Sequence, residues 1–396
     1  MGVAVMRVRG LQFVAVGAVL AAVVAVPAAP AAAAGTGWWA TSGYLVTNSS
    51  FNPNEPNLTV PNVPNLKLKY TGSPARTGQH APVVAAGLVY TPDDAGVTAT
   101  DEATGAVKWR FAPDPALYET PAPLIHEAGQ LIVVMNIVPQ SGGSEGSRIF
   151  VLNAATGAVI RDFDSEGGFT TETLLDKGVL VVSSLSRYYA HTRAFRLADG
   201  QLLWKNAMHM KQAVSAGGRV LVSGYQANAG TNPKSSVVDL LTGTVLSTSP
   251  DWQEYRPLAA DESGSKFYVA WGHSLQILDA TTGKLTWLAS NLSPKYVVLS
   301  PTRLYVTSFS GVVTAVNRTT GATIWSRSIP GSENQRAIIA GGVLYVTATG
   351  DRVHTLNPID GTPLNAPSFT GTVDQLVVTY GRVYTTDGTR LSVYGL

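Results

Sequence analysis

One eleven-residue pattern recurs along this chain and limits its possible folds more than any other feature. Ala99-Thr-Asp-Glu-Ala-Thr-Gly105-Ala-Val-Lys-Trp109 is echoed at 151–161, 194–204, 237–247, 277–287, 315–325 and 355–365. Its glycines are Gly105, Gly157, Gly200, Gly243, Gly283, Gly321 and Gly361, spaced by 52, 43, 43, 40, 38 and 40 residues. Between the echoes lie hairpin-like β-branched runs, among them 83–91, 174–182, 297–307 and 376–385. A period near 40 with strand content throughout is what a four-stranded blade requires, since one blade cannot bury its own faces and must stack on others.

The hairpin runs number eight and the glycine echoes seven, so one unit is split. Residues 390–394 read as a third strand with no fourth after it, and 66–72 as a fourth strand with no blade before it. Joining them predicts an all-β, eight-bladed β-propeller over 66–396 with about 41 residues per blade, closed by N- and C-terminal strands sharing the last blade. Closure also removes the free sheet edges that would promote aggregation. A length of 396 residues, otherwise compatible with two or three domains, thus becomes one ring.

Within the repeat, each glycine supplies the left-handed residue of a tight turn. The Asp or Asn four positions earlier (Asp101, Asn153, Asp239, Asp279, Asn317, Asn357) is placed to cap that turn, with Arg196 breaking the pattern. Trp109, Trp204, Trp287 and Trp325 follow the glycine by four and are expected to dock on the neighbouring blade. Arg161, Ser247 and Asn365 occupy that position elsewhere, which predicts looser junctions there.

Two segments stand outside the ring. Residues 1–34 carry Arg7 and Arg9, an apolar run from Leu11 to Val26, and Ala32-Ala33-Ala34 as a cleavage site, the pattern of a signal peptide. The run is short for a membrane span, and no Cys follows it to take a lipid. An exported chain with no integral membrane segment after cleavage is expected, secreted or held in the cell envelope. Residues 35–65, rich in Pro and Asn, read as an extended lead-in whose Trp38, Trp39, Tyr44 and Phe51 pack along the ring.

The chain has 28 Lys+Arg and 26 Asp+Glu, so losing the leader with its two arginines leaves no net charge. Nucleic acid is therefore not an expected partner. Zero Cys excludes disulfides, thiolate metal sites and a Cys nucleophile.

The A-x-D-x-x-T-G-x-x-x-W motif, intact at 99–109 and partly kept in the other units, resembles the pyrroloquinoline-quinone-type (PQQ-like) β-propeller repeat. The lead-in, with Phe51-Asn-Pro-Asn-Glu55 and Val63-Pro-Asn-Leu66, also looks like what precedes such repeats in exported bacterial members. That family includes quinone-dependent alcohol and sugar dehydrogenases. It also includes non-catalytic members, such as the scaffold lipoprotein of the outer-membrane barrel-assembly machine. Family enzymes of the alcohol-oxidising type stack the quinone on a disulfide of adjacent cysteines, which this chain lacks. They also hold Ca²⁺ with carboxylate and Asn oxygens, a set not matched here. The resemblance thus implies a non-catalytic exported member with no cofactor and no catalytic residues; the alternative is a PQQ- and Ca²⁺-dependent oxidoreductase acting on alcohols or sugars. A carbohydrate-active enzyme built on the pore is a third, more distant reading.

If a site exists, the geometry of a propeller places it at the pore mouth, where the innermost strands begin. Counting back from each hairpin puts His80, Glu119, Glu172, Lys211, Arg256, Lys295, Arg336 and Asp374 there, a mixed-charge ring suited to a polar or anionic ligand. Asp93-Asp94 and Met208-His209-Met210 are weaker cation candidates, and no metal site is expected. Two loops exceed the period, 136–148 and 224–235, and loops on a rigid scaffold often carry function. A monomer that binds a protein or cell-envelope partner through one face is the expectation.

Overall fold

The structure, a computed structural model, describes residues 39–41, 43–72, 81–121, 123–138, 146–165, 167–185, 190–224, 232–331, 336–348, 352–366, 369, 375–386 and 390–396. The leader, Trp38, His80, Asp374 and the centres of both long loops lie outside the described residues.

Eight antiparallel sheets form the ring. Blade 1 runs Val83–Ala85, Leu88–Asp93, Gly96–Asp101 and Val107–Phe111 from the axis outward. Blade 8 is the composite one: Gln375–Thr379, Arg382–Thr386 and Leu391–Gly395 are completed by Lys67–Gly72, with Leu68 opposite Tyr394. The innermost strand of blade 8 lies beside that of blade 1, which closes the circle. Apolar side chains of each sheet interleave with the next, so the core is a series of layers between blades. One cluster joins Leu174, Val181 and Trp204 of blade 3 to Val220 and Val238 of blade 4.

Blade 4 departs from the scheme. Its inner strand is reduced to two isolated bridges, His209 to Ser223 and Ser215 to Val220. Amides of this segment donate to groups outside the blade's own sheet. Met210 N–H donates to Ser183 Oγ (2.8 Å), Ala213 N–H to Glu172 Oε2 (3.2 Å) and Ser215 N–H to the Val46 carbonyl (2.8 Å).

The turn chemistry follows the repeat. Asp101 Oδ1 accepts from the amides of Ala103 and Thr104 at 3.1 and 3.0 Å, and Asn153, Asp239, Asp279 and Asn317 do the same in their blades. Trp109, Trp204 and Trp325 donate their indole N–H to the carbonyls of Ala154, Leu240 and Pro358 in the following blade, at 3.0, 2.8 and 3.1 Å. Each ring lies under that blade's turn glycine: a β-carbon on Gly361 would sit 2.7 Å from the Trp325 ring.

Two expectations about these junctions need correction. Trp287 does not dock and stays 57% exposed, because the Leu288 carbonyl occupies the space under Gly321. Arg161 does not loosen its junction: its guanidinium donates to the Leu197 carbonyl, the bond an indole makes elsewhere, while Phe163 fills the space under Gly200. In the split blade Tyr70 takes the ring position, under Gly105, with its hydroxyl on the Glu102 carbonyl at 3.0 Å.

The lead-in crosses one end of the pore and bonds to seven of the eight blades. Trp39 exchanges backbone bonds with Val84 of blade 1, and His126 N–H of blade 2 donates to the Ala40 carbonyl. The carbonyls of Val46, Thr47, Ser49 and Ser50 then accept from Ser215, Ala260, Leu299 and Ile339 of blades 4 to 7, at 2.8–3.0 Å. Phe51–Asn52 adds a short parallel strand to blade 7, and Asn52 Nδ2 donates to the Val378 carbonyl of blade 8. Trp39 and Tyr44 are buried with rings 5.2 Å apart, so they pack against the ring. We call residues 39–58 the strap.

Candidate binding face

In the seven blades it bonds, the strap meets the innermost segment near its end, at the turn into the second strand. Those turns and the Asx-Gly turns share this lower face. The opposite, upper face carries the starts of the innermost strands, the links between blades and the turns between second and third strands. The pairing of Arg256 with Ala270, next to the Trp271–Ser274 turn, fixes that arrangement. The strap crosses the lower mouth, and among the described residues no second segment of that kind crosses the upper one.

Of the mouth residues expected from sequence, Glu172, Arg256, Lys295 and Arg336 are linked by contact or charge, and Lys211 pairs separately with Glu254. In blade 3, Glu172 accepts from Ala213 N–H and faces the charge of Arg336. Burial pushes its carboxyl up to about 7, against the opposing pull of Arg336 and of that amide. Lys211 of blade 4 pairs with Glu254 at 2.7 Å. Arg256 of blade 5 donates to the carbonyls of Lys295 and Pro294 at 2.9 and 2.6 Å. Lys295 lies over the rings of Phe309 and Tyr296, 5.0 and 5.7 Å from their centroids, and Arg336 lies 5.2 Å from that of Tyr296. Glu119 is exposed on blade 2, opposite Asn136, and nothing joins it to the others.

Hydroxyl groups brace this face. Thr192 and Ser223 donate to the carbonyls of Met208 and Tyr255, both at 2.8 Å, fixing the links that lead into blades 4 and 5. Thr171 Oγ1 meets His209 Nε2 at 2.9 Å. Burial and the charge of Lys211 lower the pKa of that imidazole, with Glu254 opposing.

Sequence reasoning missed the aromatic half of the face. Phe309 and Trp271 sit in the turns between second and third strands, 52% and 37% exposed. Trp271 meets Tyr255 edge-on at 6.3 Å. Trp252, in the link from blade 4 to blade 5, is 68% exposed at a φ of 66°. A bulky residue in the left-handed region costs about 1–2 kcal/mol, and this one recovers little by packing. Next to it, Asp251 accepts from Asn232 Nδ2 at 3.1 Å, which ties the base of the 224–235 loop to this region. Superposing the blades by their glycines would have placed Trp271 and Phe309 at corresponding turns of blades 5 and 6.

Both weaker cation candidates are engaged elsewhere. Asp93 is fully buried and gripped by Arg110 through two bonds of 2.6 and 3.0 Å. Met208 and Met210 are buried in the layer between blades 3 and 4. Among the described residues no three His, Asp or Glu side chains converge.

A family model described as "Outer membrane protein assembly factor BamB" matches residues 93–254, 271–364 and 309–396. The chain belongs to this family. Solved structures share the fold at low identity. BamB from Moraxella catarrhalis aligns at 19% identity with a TM-score of 0.58, over 84% of this chain and 98% of that one. Quinohemoprotein alcohol dehydrogenase from Comamonas testosteroni aligns at 13% and 0.69, over 92% and 81%. A europium-containing methanol dehydrogenase aligns at 13% and 0.65, over 91% and 98%. At such identities the likeness is one of fold. No curated protein matches the sequence. No helix among the described residues is long and apolar enough to cross a membrane.

Proposed function

We propose that this chain is an exported binding propeller that holds a protein of the cell envelope on its upper face and performs no chemistry of its own. The observation that carries the reading is the inequality of the two faces. The lower is covered by the strap and built of short, repeated turns. The upper presents a mouth that no described segment crosses, exposed aromatics and every loop that exceeds the period. Membership of a family named for an outer membrane assembly factor supports an envelope partner. The quinone-dependent reading draws on the dehydrogenase fold neighbours. The described residues lend it little support: no three His, Asp or Glu side chains gather among them, and Arg336 faces the Glu172 carboxyl.

A photo-crosslinking residue placed at Phe309, and separately at Thr41 within the strap, tests the reading in cells. One dominant protein adduct from position 309 and none from position 41 is expected. The reverse result, or no adduct at either, overturns it. Incubation with PQQ and Ca²⁺ tests the alternative: a stoichiometric chromophore with dye reduction by alcohols or sugars would establish it.

A further inference from the structure

We infer that blade 7 takes up an extended segment of a protein partner at its outer edge, as the missing part of its fourth strand, with an acidic side chain toward blade 6 and an apolar one toward blade 8. The fourth strand is the outermost of a blade and runs Val107–Phe111 in blade 1 and Thr323–Ser328 in blade 6. In blade 7 it is Pro363–Leu364 alone, paired with Leu356 and Thr355 of the third strand, Arg352–Leu356. Among the described residues no strand pairs with the outer side of Arg352 to His354. Asn357 N–H donates outward to the Thr362 carbonyl, and the alternation of backbone direction along a strand turns the N–H and C=O of Val353 to that same side. An edge of this kind is a template for another strand, about three residues long here.

A cavity of about 380 Å³ lies along this edge, and its two sides differ. Arg352 and His354 share a strand face with Leu356, which belongs to the layer with Trp325 of blade 6, and Arg327 of blade 6 completes that side. Val353, Leu364 and Phe369 line the other side, in the layer that holds Tyr384 and Tyr394 of blade 8. An added strand alternates in the same way, so one residue meets the arginines and the next meets Phe369. Among the described residues no carboxylate forms an ion pair with Arg327 or Arg352. The charge of Arg327 reaches Asp360 in the lower turn, whose carboxylate is bonded by Thr362. Burial and the charge of Arg352 hold the His354 imidazole below its ordinary pKa, so the arginines are the fixed cations of this wall. A free acid or a phosphate answers the arginines but not the strand edge. A peptide brings a carboxylate together with main-chain N–H and C=O groups. This edge shares no residue with the upper mouth.

The full chain should be titrated with a fluorescein-labelled hexapeptide alternating glutamate and valine, with its lysine–valine counterpart, with the same residues arranged in blocks, and with inorganic phosphate as competitor. Saturable binding of the alternating glutamate peptide is expected, about tenfold weaker for the block and lysine forms and unmoved by phosphate. Arg327→Gln and Arg352→Gln should each weaken it about fivefold, both first shown to melt like the parent. Hydrogen exchange on the unaltered chain gives a second reading if either variant unfolds: the peptide should slow exchange at Val353 and not in the outer strands of other blades. Equal binding of the alternating and block peptides, displacement by phosphate, no binding, indifference to both variants, or protection elsewhere than Val353 overturns the inference. The adduct from position 309 decides the upper face separately, so this site can fall while that reading stands.

Discussion

The two faces of this propeller are made from the same blades but solve opposite problems. On the lower face the backbone is tied within the chain: the strap carbonyls take blade amides, and Asp or Asn side chains take turn amides. On the upper face the side chains that stand out, Trp252, Trp271 and Phe309, remain partly in solvent. The lower face spends its chemistry on closing the ring. On the proposed function, stability and recognition are separated by about one strand length, and substitutions on the two sides should fall into different classes.

The largest effect belongs to Trp39. It is fully buried, bridges to blade 1 and packs on Tyr44. Replacing a buried Trp by Ala costs about 3–5 kcal/mol. Trp39→Ala should therefore lower the melting temperature by several degrees in calorimetry. A shift below 1 °C would mean the strap merely lies on the ring, and the contrast between the faces would fail.

The turn glycines come next, and they divide by what lies beneath them. Gly361 has a φ of 74°, and a β-carbon there would meet the Trp325 ring at 2.7 Å. Gly87 has a φ of 76° with nothing within 4 Å. Gly361→Ala combines left-handed strain with overpacking and should cost about 2–4 kcal/mol, against about 1 kcal/mol for Gly87→Ala. Equal losses in urea titrations would show that backbone strain alone sets the cost and that ring packing between blades adds nothing.

How much of this was legible in the sequence depends on how local each contact is. The eight blades, the shared last blade and the Asx caps follow from a pattern printed seven times, in which each bond spans only two or three residues. The strap was legible only as a segment that packs. Ser50 to Ile339 is a backbone contact between distant residues with no side-chain signature. Junction chemistry was misread where different side chains make the same bond, as Arg161 does, and where a local register change hides a familiar residue, as at Trp287. At the mouth, counting strands found Glu172, Lys211, Arg256, Lys295 and Arg336. It could not find Glu254 or Phe309, because those come from neighbouring links and turns whose lengths do not repeat.

Glu172 sharpens the comparison from the upper side. Burial raises its carboxyl to about 7 in the folded chain, above the ordinary value near 4.3. A raised acid favours folding where it is protonated, so its contribution is complete at low pH and is lost as pH rises through about 7. Relative to Glu172→Gln, the parent should lose roughly 2 kcal/mol between pH 5 and pH 8. Parallel stability profiles for the two would place the carboxylate in solvent rather than within the mouth.

The smallest stability effect is the most discriminating. Tyr44 and Trp252 both hold left-handed backbone, at φ of 75° and 66°, and they lie on opposite sides of the contrast. Tyr44 is buried against Trp39 and takes a bond from Asn54 Nδ2 at 3.2 Å, so Tyr44→Gly relieves strain but empties a packed site. That exchange should be a net loss of about 2–3 kcal/mol. Trp252→Gly relieves the same strain and empties nothing, so stability should stay level or rise by about 0.5–1 kcal/mol. A stabilising substitution that also weakens partner capture would show that strain is kept on the upper face for recognition. If Trp252→Gly instead destabilised the chain as much as Tyr44→Gly, that tryptophan would belong to the fold, and the division between the faces would not hold at this position.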